Sequence, residues 1–187
     1  HTILLTVAMD SFLKTQEGPG ADLWSMMTED VLVPIGVLEM PVMRWNTDDG
    51  KPGVPIMAWG FVPTLSDIAQ VANLLVNGGN HNGLQLLSPT LLEAFLQTPL
   101  EPGLPIDWEN AFGRYRYHAS FWMMPFQTDD DCSYWIPKLE GTGGNVVALL
   151  PNGMAGIRLA DAYEGSPGQY EAEGMAPLAN ELEPFCP

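Results

Sequence analysis

Three glycines within four residues, Gly141, Gly143 and Gly144 in Glu140-Gly141-Thr142-Gly143-Gly144-Asn145, mark the place where this chain is best equipped to bring main chain against a ligand. Glycine removes the side chain where a substrate or a second backbone must come close. The apolar run Val146 to Leu150 that follows has the length of one buried strand, Pro151-Asn152-Gly153 has turn chemistry, and Met154 to Ala160 reads as a returning strand. An ordinary glycine-rich hairpin would read the same way. Other groups with chemical potential are more scattered. His81 and His118 lack metal-ligand spacing, and Asp129-Asp130-Asp131 lacks the glycine and distal glutamate of a calcium loop, so no metal and no cofactor is expected. Trp59, Trp108, Trp122 and Trp135, with Tyr115 and Tyr117, can line a ligand pocket or pack a core.

Composition narrows the partners. Seven basic residues stand against 23 acidic ones, a net charge of −16 that repels phosphate backbones and anionic lipid surfaces, so nucleic acid is not an expected partner. With 46% apolar and 16% charged residues, the 187-residue chain is that of a packed globular protein. No apolar run reaches the roughly 18 residues of a spanning helix. Scattered acidic residues suit solubility, salt adaptation or export alike; the compartment stays open, with a periplasmic or secreted setting favoured. Cys132 and Cys186 have no CxxC or histidine spacing; they pair as one disulfide closing the C-terminal tail or remain free thiols.

The elements that position the glycine stretch follow from periodicity. Apolar residues at 4, 5, 8, 9, 12 and 13 predict a helix ending at Glu17-Gly18-Pro19-Gly20. It begins abruptly at His1, without a polar leader, as if cut from a longer chain. A second helix is predicted over about 22–32, closed by Pro34, and residues 41–60, with Asp48-Asp49-Gly50, read as an irregular surface excursion. Thr64 and Asp67 form a capping-box variant before a helix with Ile68, Ala69, Val71, Ala72, Leu74 and Leu75 on its apolar face, stopped by Asn77-Gly78-Gly79. Ser88 and Pro89 open a further helix over about 89–97. From about 111 onwards alternation predicts strands: 112–126, the stretch after Cys132, and 145–160. Residues 164–187 read as a loosely structured tail with a short helix at 176–183. The expected class is α+β: an antiparallel sheet flanked by helices.

In order along the chain, Asp30-Val31-Leu32-Val33-Pro34-Ile35-Gly36-Val37, the segment Pro63-Thr64-Leu65-Ser66-Asp67-Ile68-Ala69 through Asn77-Gly78-Gly79 and Gly83-Leu84-Gln85-Leu86-Leu87-Ser88, and Gly141 to Pro151 resemble three stretches of the β-lactamase-like, penicillin-recognising serine hydrolases, a family of class C β-lactamases, D,D-peptidases, carboxylesterases and D-aminopeptidases. The resemblance covers residues 1–160 and implies that residues 1–187 are the C-terminal portion of one β-lactamase/transpeptidase-like domain. It further implies an acyl-enzyme mechanism on a small-molecule ester or amide substrate, a β-lactam included, with serine, lysine and tyrosine motifs supplied by the N-terminal part of the same protein.

Ser11-Phe12-Leu13-Lys14 satisfies the family's Ser-x-x-Lys literally, but Ser11 falls near the end of its helix, not at an N-terminus that favours developing negative charge. The nucleophile is therefore expected outside this chain. Ile3-Leu4-Leu5 and Ala8-Met9 resemble the helix after the family's tyrosine motif, which makes His1 a remnant of that motif or an exposed terminal side chain. Aligned on the family's Lys-Thr-Gly, the chain presents Lys138, Leu139 and Glu140. The candidates for a substrate cleft are thus Lys138, Glu140, Gly141, Thr142, Gly143, Gly144, Asn145 and His1. Glu140 can neutralise Lys138, which favours neutral esters or amides over carboxylate-bearing substrates. A catalytically inactive member, holding a peptide or acyl ligand without turnover, fits the same residues.

Overall fold

The computed structural model describes residues 2–96, 103–141, 143–160 and 168–186. It divides into two compact units, His1–Val71 and Ala72–Pro187. Among the described residues no helix is long and apolar enough to cross a membrane.

The first unit opens with α1 (Thr2–Glu17), which stops where Gly18 takes φ +101° and donates its N–H to the Lys14 carbonyl. Its buried side differs from the expected apolar stripe. Thr6, Asp10 and Leu13 are buried while Leu4, Leu5 and Phe12 are exposed, because the Asp10 carboxylate accepts the Leu23 N–H and pairs with Lys14. The predicted second helix is α2 (Leu23–Met27) followed by a π-helical turn over Thr28–Leu32, in which Val33 donates to Thr28 five residues back. Asp22 caps α2 by accepting the Ser25 N–H at 2.9 Å. The stretch read as irregular contains a ribbon instead: β1 (Arg44–Asn46) pairs antiparallel with β2 (Pro52–Pro55), turned by Asp48-Asp49-Gly50 with Gly50 at φ +73°.

Helix α3 (Leu65–Val76) runs across the division between the units and carries the predicted reciprocal cap: the Thr64 N–H donates to Asp67 at 2.7 Å and the Asp67 N–H to the Thr64 hydroxyl at 3.2 Å. A small hairpin, β3 (Asn80–His81) with β4 (Leu84–Gln85), turns through Asn82 and Gly83, both at positive φ. Ser88 then caps α4 (Pro89–Leu96).

The second unit is built on a six-stranded antiparallel meander: β5 (Leu104–Asn110), β6 (Gly113–His118), β7 (Phe121–Gln127), β8 (Ser133–Gly141), β9 (Asn145–Leu149) and β10 (Ala155–Arg158), each strand beside its sequence neighbour. The expected α+β class is the observed one. β5 is a strand that the sequence reading did not anticipate; Pro105 is tolerated there because β5 is the sheet edge.

The tail, expected to be loose apart from a short helix at 176–183, carries the longer α5 (Gly168–Leu182), whose Ala176 and Ala179 enter a core with Tyr115, Met124, Ile136, Val146 and Ala148. Cys132 and Cys186 are joined as a disulfide, which decides between the two readings left open for them.

Candidate functional site

Strand β8 carries the candidate lysine and glutamate. Its pleat sends Ile136, Lys138 and Glu140 to one face of the sheet and Trp135 and Pro137 to the other. In register, Lys138 stands between Trp122 on β7 and Ala148 on β9, and Ala148 in turn faces Gly156 on β10. Ala148 and Gly156 leave the space into which α5 settles: a Cβ on Gly156 would lie 2.6 Å from Met175 Sδ.

The Lys138 side chain is fully enclosed. Its Nζ donates to Glu140 Oε2 at 2.7 Å and sits 4.7 Å from the Tyr115 ring centroid and 5.8 Å from that of Trp108. The Tyr115 hydroxyl donates to Glu173 Oε1 at 2.9 Å, so a carboxylate from α5 closes the cluster. Trp108 stacks on Trp122 at 4.6 Å and Tyr117 meets Trp122 at 4.8 Å, so these aromatic rings pack on one another beside the ion pair.

Burial lowers the Lys138 ammonium below the ordinary lysine value, against the Glu140 and Glu173 carboxylates, which hold it up. Burial likewise pushes the Tyr115 phenol far above its ordinary value, reinforced by the hydrogen bond to Glu173 and by the charges of Glu173 and Glu140. A paired, enclosed ammonium offers no grip on a substrate carboxylate, and a phenol held neutral accepts no proton.

The glycine hairpin adjoins this cluster. Gly141 ends β8 opposite Asn145, and Gly143 and Gly144 take φ +90° and +83°, a conformation that the turn demands of glycine. The close approach expected of a substrate is made at Gly144 by the chain itself. Arg158 Nη1 donates to the Gly144 carbonyl at 3.1 Å and lies 2.8 Å from where a Gly144 Cβ would stand. Asn145 Oδ1 accepts the Ala160 N–H at 2.9 Å, tying the hairpin to the end of β10. Gly141 is roomier, with Asn145 Cβ at 3.5 Å from its Cβ position. His1 and Thr142 lie outside the described residues.

Ser11 is exposed on α1 and its would-be partner Lys14 is engaged by Asp10. His81 Nε2 is 2.9 Å from Asn82 Nδ2 and His118 Nε2 is 3.0 Å from the Ala94 carbonyl. No group of three His, Cys, Asp or Glu side chains among the described residues can hold a metal ion.

The other face of β8 borders a feature that the sequence reading missed: a cleft of about 620 Å³ between the sheet and helices α3 and α4, lined by Leu75, Leu92, Leu96, Trp135 and Pro137 with Glu93 among them. Its one sequence signal is the pair of bulky apolar residues, Trp135 and Pro137, alternating with the Lys138 face.

Comparison with models of known protein families and with curated proteins finds no match.

Proposed function

We propose that this chain is the C-terminal portion of a β-lactamase-like serine hydrolase that cleaves ester or amide bonds through an acyl-enzyme, with the nucleophile outside residues 1–187. The order of segments carries the reading: a helix-ending Pro34-Ile35-Gly36, a capped helix closed by Asn77-Gly78-Gly79, and a glycine hairpin leading into an interior strand of an antiparallel sheet. The engagement of Lys14 by Asp10 supports a nucleophile elsewhere. The pairing of Lys138 with Glu140 favours neutral acyl substrates over those bearing a carboxylate, because the cation is already neutralised and enclosed.

A second reading, an inactive member that binds a peptide or acyl ligand, draws on the apolar cleft along Trp135 and Pro137. The two part on a single test. A serine-reactive fluorophosphonate should label the polypeptide that includes the residues before His1 at one serine outside this chain, and that polypeptide should hydrolyse p-nitrophenyl acetate faster than nitrocefin. Residues 1–187 alone should do neither. Stoichiometric labelling of Ser11 overturns the hydrolase reading as stated, and binding of acyl ligands without any labelling establishes the inactive one.

A further inference from the structure

Helix α5 is a cover on the sheet, and its ties among the described residues are of dissimilar kinds. It is intrinsically weak: Gly174 costs backbone entropy and Pro177, inside the helix, removes an N–H from the ladder. Among its described side chains the small Ala176 and Ala179 are buried in the core, and Met175 packs beside them over Gly156. Among the described residues, the Tyr115 hydroxyl donates to Glu173 over the cluster; towards the C-terminus, Asn152 Nδ2 donates to the Ala179 and Glu183 carbonyls and the Tyr134 hydroxyl to that of Phe185.

Beyond Phe185 comes the one covalent tie, Cys186 to Cys132, closing 54 residues of sequence. Cys132 is a firm anchor. It sits in the β7–β8 turn, where the Thr128 N–H donates to its carbonyl and its own N–H donates to the Thr128 hydroxyl. Both cysteines are only partly buried, so a small thiol can reach them.

We propose that the Cys132–Cys186 disulfide is a redox latch on α5, whose reduction releases the helix from the sheet and uncovers Lys138, Glu140 and Tyr115. The co-reactant is a dithiol. One of its thiolates attacks a sulfur of the Cys132–Cys186 bond, giving a mixed disulfide and freeing the other cysteine as a thiol. Its second sulfur then displaces the remaining cysteine, so the protein gains two electrons and two protons while the reductant leaves as its own disulfide. The tether holds α5 at a high effective concentration over the sheet; with it cut, the remaining contacts must hold a helix that forms poorly by itself. This inference is independent of the hydrolase reading.

The chain's three lysines make the test direct, because Lys51 is 79% exposed and serves as an internal reference for Lys138, which is 0% exposed. The oxidised chain is acylated with an amine-reactive ester, and labelling at each lysine is read by mass spectrometry. A second sample is first reduced with dithiothreitol and its thiols blocked. Reduction should raise the ratio of Lys138 to Lys51 labelling at least fivefold and speed amide hydrogen exchange in α5, while the amides of β7 and β8 stay protected. A rise of less than fivefold shows that the disulfide is a static staple, and loss of protection in β7 and β8 together with α5 shows that it supports the whole unit; either outcome overturns the latch. The Cys132→Ser/Cys186→Ser variant should be open without reductant and indifferent to it. If that variant does not fold, the comparison of oxidised and reduced wild type decides the matter alone.

Discussion

Lys138 and Glu140, two residues apart on β8, meet on one face of the sheet with Nζ to Oε2 at 2.7 Å, so the buried cation and its partner are supplied by the same strand. A pair made locally is in place as soon as the strand is. What depends on the rest of the fold is its enclosure, by the rings of Tyr115 and Trp108 and by Glu173 from α5.

Removing one partner should therefore cost more than removing both. Glu140→Gln leaves an enclosed ammonium without its counter-charge, and a loss of about 3 kcal/mol in urea unfolding is expected. Lys138→Met combined with Glu140→Leu replaces both groups with apolar ones and should stay within about 1 kcal/mol of wild type. Equal losses from the single and the double change would mean that the pair, and not the orphaned charge, dominates.

The Tyr115 phenol has a folded value above its unfolded one, pushed up by burial first and then by Glu173. Its contribution to stability is therefore complete below the unfolded value near pH 10 and is lost as pH rises through the folded one. Lys138, whose folded value is depressed, acts in the opposite sense: stability is gained as pH climbs from its folded towards its unfolded value. The two are separated by watching the phenol. At about pH 11, wild type and Tyr115→Phe should show the same tyrosinate absorbance while folded, because Tyr115 contributes none. A smaller amplitude in the variant would show that Tyr115 ionises within the fold.

In the first unit, Asp22 holds Arg44 through two short contacts, Nη1 to Oδ1 at 2.6 Å and Nη2 to Oδ2 at 2.7 Å, while also capping α2. The hydrogen bonds from Arg44 keep its carboxyl well below the usual range, so its contribution is present above the unfolded value near pH 4 and is lost as pH falls through the folded one. Arg44→Gln removes most of that depression. The acid-unfolding midpoint of the first unit should move to higher pH in the variant, followed by circular dichroism; an unmoved midpoint would make the pair inconsequential.

Local chemistry was legible where a few residues decide the outcome. Thr64 and Asp67 announced the start of α3, Ser88 that of α4, and Pro151-Asn152-Gly153 the turn between β9 and β10. Long-range cover was not. The alternation of β8 shows that Lys138 and Trp135 point opposite ways, but which face is enclosed depends on α5, whose periodicity is obscured by Gly174 and Pro177. The same limit applies to α1: its apolar stripe marks a helix, yet Asp10 is buried because Leu23, thirteen residues on, brings a backbone N–H to it. The β1–β2 ribbon hid among residues with turn chemistry because each strand is only three or four residues long.

Gly144 combines two demands, a backbone at φ +83° and the Arg158 guanidinium 2.8 Å from its Cβ position. The first costs any other residue about 1 kcal/mol, and the second adds displacement of Arg158. Gly144→Ala should thus destabilise the second unit more in wild type than in an Arg158→Ala background, and the difference in a double-mutant cycle measures the contact. In a polypeptide that carries the proposed nucleophile, Gly144→Val should lower kcat/KM by more than about tenfold, or about 1.4 kcal/mol of transition-state binding, per folded molecule. Kinetics unchanged alongside lost stability would assign Gly144 to the turn and to Arg158 alone, and would remove the glycine hairpin from the substrate's path.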